Sequence, residues 1–275
     1  MIKLFACDLD GTLLNEEHTS DEIILSGIDQ VIEKGRYFTI ATGRHLHEDQ
    51  TSEEFGNRKI YTICMNGALI LDENRNPIYQ KTLSKEFVKG IMEAFPEVDF
   101  EFIGMNHTFI RFSKEEHLAN FKRRSIWNRV VDENKIQRFI RDCIFDQSVE
   151  DILKQDIYKL NTRVDEQTSQ RLSEYLQQHS DEVVNAPFAE GVFEITDKSV
   201  NKGEAVKRLA DWLGISEDEV AVYGDGGNDL QMLARFAHSY AMSNGTDEAK
   251  KAANEVIGDC KDHAVIKHIL ETLNK

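Results

Sequence analysis

The sequence predicts an α/β protein in which a parallel-sheet core is interrupted by a second, inserted α/β domain. Short apolar runs alternate with amphipathic stretches near both ends of the chain, which is the pattern of strands joined by crossover helices. The middle of the chain changes texture and becomes dense in aromatic and charged residues. Several apolar runs at the two ends stop in acidic, hydroxyl or glycine residues, and open α/β sheets gather their ligands at such strand ends.

Ile2 to Asp8 is a short apolar run ending in acid, a buried strand. Ser20 is placed to cap a helix from Asp21 to Lys34, whose Ile23, Ile24, Ile28, Val31 and Ile32 share a face, with Gly35 just past its end. Tyr37–Ala41 and Tyr61–Met65 follow as strands, and strand–helix–strand spacing favours parallel pairing with right-handed crossovers. Asn66-Gly67 opens a hairpin made of Ala68–Leu71 and Ile78–Gln80. From Ser84 to Pro187, strands at Asp99–Ile103, Phe109–Phe112 and Tyr158–Val164 mix with helices at Glu115–Arg124 and Glu166–Gln178. No glycine-rich turn of chemical character occurs there. Regular alternation returns with a strand at Gly191–Ile195, a helix at Lys202–Leu213 and a capping box at Ser216-x-x-Glu219. A strand at Ala221–Gly224, a helix at Asn228–Phe236, a strand at Ser239–Met242 and helices at Thr246–Ala253 and Asp262–Leu273 complete the pattern. The expected division is residues 1–83 and 188–275 for the core and 84–187 for the insertion.

Composition narrows the function. In 275 residues, Lys and Arg total 33 against 49 Asp and Glu, a formal charge of −16. Such a balance argues against a nucleic-acid partner and against docking on anionic lipid, both of which need a basic face. A small anionic substrate stays open, because a bound metal ion inverts the local field. No apolar run approaches the roughly 18 residues of a membrane span. Met1 to Ala6 lacks the long apolar stretch of a secretory leader, and Cys7, Cys64, Cys143 and Cys260 are scattered without a CxxC pair. A cytoplasmic protein, monomeric or weakly dimeric, is expected.

Four short segments carry chemistry. Asp8-Leu9-Asp10-Gly11-Thr12 ends the first strand. Residues two apart on extended backbone point the same way, so Asp8 and Asp10 can share a cleft and call for a hard cation such as Mg²⁺. An acidic strand end followed by a plain turn reads equally from this string alone. Ala41-Thr42-Gly43-Arg44 offers a hydroxyl and a backbone N–H suited to a phosphate oxygen, or simple turn chemistry. Lys202 opens a helix, where a positive charge opposes the helix dipole, so it is either an aimed point charge or a solvated lysine. Gly224-Asp225-Gly226-Gly227-Asn228-Asp229 combines glycines that let backbone approach a ligand with carboxylates for a metal. Arg44, His45, His47, Lys159 and Asn161 either face the cleft or are ordinary polar surface residues, the commoner case for such side chains.

In their order and spacing these four segments resemble the haloacid dehalogenase superfamily, and among its members the Cof-like phosphatases with a type IIB α/β cap. The resemblance implies a Rossmann-like core and a Mg²⁺-dependent phosphatase acting on small phosphorylated metabolites through an aspartyl phosphate. It implies Asp8 as nucleophile and Asp10 as acid/base. It implies Thr42, Lys202 and Asn228, with the backbone at Leu9 and Gly43, as holders of the phosphoryl group. Asp8, the carbonyl of Asp10, Asp225 and Asp229 would serve the metal. Asn66-Gly67-Ala68 matches the family's segment leading toward the cap, or is a turn. Asp10 should have its pKa raised, with Asp8 nearby as the cause. Response-receiver domains also gather acids, a Thr and a Lys around Mg²⁺, but they are near half this length and their acids are usually adjacent. One departure is His263-Ala264, where relatives commonly show Gly-Val.

Overall fold

Four consecutive apolar residues, Leu4–Cys7, form β1, and all four are buried. Full burial of a Leu or Phe is worth about 1.5–3 kcal/mol each, so this strand is a rigid base for whatever follows it. The chain continues through α1 (Glu22–Glu33), β2 (Tyr37–Ala41), β3 (Tyr61–Cys64) and the hairpin of β4 (Leu69–Leu71) and β5 (Pro77–Gln80). The computed structural model describes residues 1–45, 54–124, 137, 140–187 and 191–274. They divide into one unit of Met1–Gln80 with Ser199–Lys275 and a second of Lys81–Lys198.

The second unit contains α2 (Lys85–Ala94), β6 (Glu101–Ile103), β7 (Thr108–Ile110), α3 (Lys114–Arg124), β8 (Cys143–Ile144), α4 (Val149–Leu153), β9 (Lys159–Arg163), α5 (Glu166–Gln178), β10 (Val183–Asn185) and β11 (Val192–Asp197). Its six strands run in the order β10-β11-β9-β6-β7-β8, antiparallel except for β7 with β8. Phe102, Leu160, Phe193 and Ile195 pack with Phe87, Ile91 and Leu172 in one apolar cluster on one face of this sheet.

Back in the first unit come α6 (Lys202–Trp212), β12 (Val220–Gly224), α7 (Leu230–Arg235), β13 (His238–Met242), α8 (Asp247–Ala252), β14 (Glu255–Ile257) and α9 (Ala264–Leu273). The strand order is β14-β13-β12-β1-β2-β3-β4-β5, parallel from β14 to β3. This is the expected α/β core. Among the described residues no helix is long and apolar enough to cross a membrane.

Two expectations are corrected. The strand foreseen at Gly191–Ile195 opens the core in the sequence reading, but β11 pairs antiparallel with β9 and β10, inside the second sheet. Its pattern fits that pairing: Phe193 and Ile195 are in the apolar cluster while the polar Glu194 and Thr196 alternate with them on the other face, where both are buried. The second unit therefore runs to Lys198, past the boundary placed at 188, a position outside the described residues. The second correction concerns α1, which Asp21 caps in place of Ser20. The Asp21 carboxylate accepts from the N–H groups of Ile23 and Ile24 at 3.0 and 3.1 Å, while Ser20 donates its N–H and hydroxyl to Glu54.

His263, the departure noted in sequence, adopts φ 55°, a left-handed conformation that favours glycine. Its Nε2 lies 2.7 Å from Asp21 Oδ2, a contact no glycine offers, so the ring ties the start of α9 to the start of α1.

Candidate active site

Parallel pairing sets three strand ends side by side. Cys7 stands opposite Tyr223 on β12 and Ile40 on β2, so the residues just beyond this row, Asp8, Asp225 and Thr42, leave the sheet along one edge. Asp8 is anchored there by its N–H, which donates to the Tyr223 carbonyl at 3.0 Å. The turn from Leu9 to Leu13 needs Gly11 at φ +73°, and an ideal Cβ at Gly11 would stand 2.6 Å from Asp225 Oδ2. Only glycine admits both the turn and that close carboxylate.

Lys202 begins α6, whose Asn201 cap accepts from the Glu204 N–H at 2.8 Å. Its side chain is fully buried, and Nζ donates to Asp8 Oδ1 at 2.5 Å and to Asp229 Oδ1 at 2.7 Å. The dipole penalty of a first-turn lysine is thus offset by two carboxylates. Asp229 Oδ2 also accepts from the N–H groups of Asp225 and Gly226 at 3.0 and 2.9 Å. Thr12 donates its hydroxyl to Asp225 Oδ1 at 2.8 Å. Carboxylate oxygens of Asp8, Asp225 and Asp229 lie within 4.8 Å of one another.

Burial pushes the Asp8 carboxyl well above the ordinary range, Lys202 opposes the shift, and Asp229 and Asp225 add to it. Burial, then Asp229, pushes Asp225 up to about 6. Burial would pull Lys202 down, but Asp229 and Asp8 outweigh it and hold the ammonium charged. Three carboxylates around one ammonium leave an excess of negative charge at a dry strand end. Hard oxygen donors in excess of their cation are what a divalent metal such as Mg²⁺ requires, and the residues present fit one.

Asp10 stands apart from that group. Its carboxylate is only half-buried and is held by Arg44, which donates from Nε to Oδ2 at 2.7 Å and from a second nitrogen to Oδ1. His18 Nδ1 lies 3.0 Å from the same Oδ1. The expectation that Asp10 has a raised pKa is overturned: burial raises it, but Arg44 and then His18 outweigh burial and hold it low.

Thr42 is buried and its Oγ1 accepts from the Arg44 N–H at 3.0 Å. Asn228 donates to Asn66 Oδ1 at 3.1 Å, and the Asn66 N–H donates to the Thr42 carbonyl at 3.0 Å. Asn66-Gly67 is therefore more than a hairpin opener, since it joins the Thr42 and Asn228 segments. Gly67 lies at φ +109°, where a Cβ would meet the Asn201 carbonyl at 2.7 Å. Lys159 and Asn161 sit on β9 in the second unit, Lys159 paired with Glu194, and His47 lies outside the described residues. Sequence reasoning missed His18 and Thr12 as partners. Thr12 was legible as the end of the Asp-x-Asp-Gly-Thr string, whereas His18 lies eight residues beyond Asp10 in a turn without a pattern.

The core and the site define a hydrolase. The chain belongs to the haloacid dehalogenase-like hydrolase family, whose profile matches residues 5–269. It is similar to the 5-amino-6-(5-phospho-D-ribitylamino)uracil phosphatase YwtE of Bacillus subtilis, 27% identical over 99% of this chain and 99% of that protein. The phosphatase of the same name YbjI of Escherichia coli is 26% identical over 99% of this chain and 96% of its own. A solved haloacid dehalogenase-like hydrolase from B. subtilis shares the fold with a TM-score of 0.81 at 24% identity, over 98% of this chain and 99% of that one.

Proposed function

We propose that the protein is a Mg²⁺-dependent phosphatase that hydrolyses small phosphorylated metabolites, sugar phosphates or similar monoesters, through a phosphoaspartate on Asp8. The observation that carries this reading is the buried Asp8 carboxylate, fixed at a strand end by Lys202 and grouped with Asp225 and Asp229. Asp8, the Asp10 carbonyl and Asp225 would hold the metal, with Asp229 supporting them. When bound, the cation neutralises charge that would otherwise repel a phosphate from three carboxylates.

The remaining work falls to the chain's own groups. Lys202, Thr42, Asn228 and the N–H groups of Leu9 and Gly43 hold the non-bridging phosphoryl oxygens. Asp8 forms an O–P bond in line as the ester P–O bond breaks, and Asp10 gives its proton to the departing oxygen. Asp10 then takes a proton from water as that water attacks phosphorus, releasing inorganic phosphate and freeing Asp8. For the first half Asp10 must carry a proton, so Arg44, which favours the ionised form, has to loosen its hold as substrate enters. The second unit, Lys81–Lys198, acts as the cap that sets substrate choice.

Rapid mixing tests this assignment. Asp8→Asn should abolish turnover of every monoester. Asp10→Asn should release nitrophenolate from p-nitrophenyl phosphate in a burst approaching one per site, because that leaving group needs no proton, and then turn over slowly. Phosphate trapped during the burst should sit on Asp8. Label on another residue, or an active Asp8→Asn, would sink the proposal.

A further inference from the structure

We propose that His18 is a positioning residue for Asp10, holding its carboxyl group through both halves of the reaction; this rests on the phosphatase reading above. The turn that carries His18 is closed on itself. Asn15 Oδ1 accepts from the N–H of Glu17 at 3.0 Å, the N–H of Thr19 at 3.1 Å and the Thr19 hydroxyl at 3.2 Å. The Asn15 N–H donates to the Thr19 carbonyl at 3.2 Å, and the His18 N–H to the Asn15 carbonyl at 2.9 Å. Within it His18 takes φ +58°, a left-handed conformation unfavourable for a residue with a Cβ. Half of the imidazole is exposed, so burial of the ring does not account for that conformation. What the conformation achieves is the contact between Nδ1 and Asp10 Oδ1 at 3.0 Å. A strained backbone that ends in a polar contact with a reacting group is a mark of function.

The two partners of Asp10 differ in kind. The Arg44 guanidinium only donates, so it suits the carboxylate best and cannot accept from a carboxyl O–H. An imidazole nitrogen donates in one neutral tautomer and accepts in the other, so His18 can keep the same oxygen in either form. A carboxyl group that gives a proton and later takes one needs a partner of that sort.

Two variants isolate the contact. His18→Gly removes the ring while suiting the left-handed backbone, so the fold should be kept or gain stability. His18→Asn tolerates the same backbone and restores an amide that can donate or accept. The probes are benzyl phosphate, whose alkoxide leaving group needs a proton, and p-nitrophenyl phosphate, whose phenolate does not. For His18→Gly, kcat on benzyl phosphate should fall about tenfold, a share of the roughly 10²–10⁴-fold that general acid catalysis supplies, with KM within about twofold of the parent. Single-turnover nitrophenolate release should keep its rate, the melting temperature should not fall, and His18→Asn should recover most of the loss. An equal loss of the single-turnover release rate on both substrates, an undiminished benzyl phosphate rate, or no recovery with Asn would overturn the proposal. Asp10→Asn, run alongside, separates the two levels. If it too retains the benzyl phosphate rate, the role of Asp10 falls and the His18 proposal with it. If it loses that rate while His18→Gly does not, His18 alone is wrong.

Discussion

Lys202→Met tests the electrostatic core of the site. The lysine side chain and that of Asp229 have no exposed surface, and the Asp8 side chain is 10% exposed, so solvent screens little of their interaction. Methionine keeps the length and apolar stem of lysine while deleting the charge, and it leaves Asp8, Asp225 and Asp229 with no ammonium among them. Removing one partner of a buried ion pair costs about 3–5 kcal/mol, because the other charge stays buried and unpaired. Here one lysine serves two carboxylates, which places the loss at the upper end of that range, equivalent to a fall in melting temperature of roughly 10 °C or more. The pH dependence gives a second, independent signature. A carboxyl group whose folded pKa is raised above its unfolded value contributes stability below the unfolded value and loses it as pH rises through the folded one. Asp8 is already raised, and without Lys202 it must rise further, so the variant should recover stability on acidification from about pH 8 to about pH 5 relative to the parent. The assay is thermal unfolding of both proteins in EDTA, so that no cation replaces the lysine, at those two pH values. A variant that melts within about 2 °C of the parent at the higher pH, or whose deficit does not shrink on acidification, would refute the reasoning.

Two further outcomes follow from the same geometry. Gly11→Ala puts a Cβ into a left-handed residue, at about 1–2 kcal/mol, and into Asp225 Oδ2, so Mg²⁺ affinity measured by calorimetry should fall at least about tenfold; unchanged affinity would mean that Asp225 takes no part in the metal site. Asp225, raised to about 6 by burial and Asp229, should make the metal-free protein gain stability as pH falls through that value toward the unfolded one near 4, whereas Mg²⁺ needs the ionised group. The rise in melting temperature caused by Mg²⁺ should therefore be large at about pH 8 and small at about pH 5, with EDTA abolishing turnover and added Mg²⁺ restoring it; an equal rise at both pH values, or full activity in EDTA, would contradict this.

The core was legible because buried parallel strands announce themselves: Leu4–Cys7, Tyr37–Ala41 and Val220–Gly224 are apolar runs that end in residues with chemistry. Where a strand was put in the wrong sheet, at Val192–Asp197, the missing information was the neighbour. An alternating strand is defined by which face it covers, and that is settled only when β9 pairs with it. The same distinction runs through the site. Asp8, Lys202, Asp225 and Asp229 were found because each stands at the end of a regular element, and parallel register carries strand ends to one edge wherever the intervening chain wanders.

Asp10 shows where that logic stops. The Asp-x-Asp spacing tells that two carboxylates leave one strand end, and like charges that close argue for a raised pKa. The direction reverses because the nearest partners of Asp10 are Arg44 and His18, which arrive from the end of β2 and from a self-closed turn. Neither approach is encoded in local spacing. Arg44 depends on the parallel pairing of β1 with β2, and His18 on a left-handed residue that no apolar period marks. The protein thus keeps its two acids in opposite surroundings. Asp8 is buried, crowded by like charge and fixed by one lysine, which suits the nucleophile proposed for it. Asp10 is half-open and held by partners that can release it. On the proposed assignment Asp10 changes protonation state twice in each turnover, which suits a carboxyl group open to solvent and held by polar partners better than one buried among like charges.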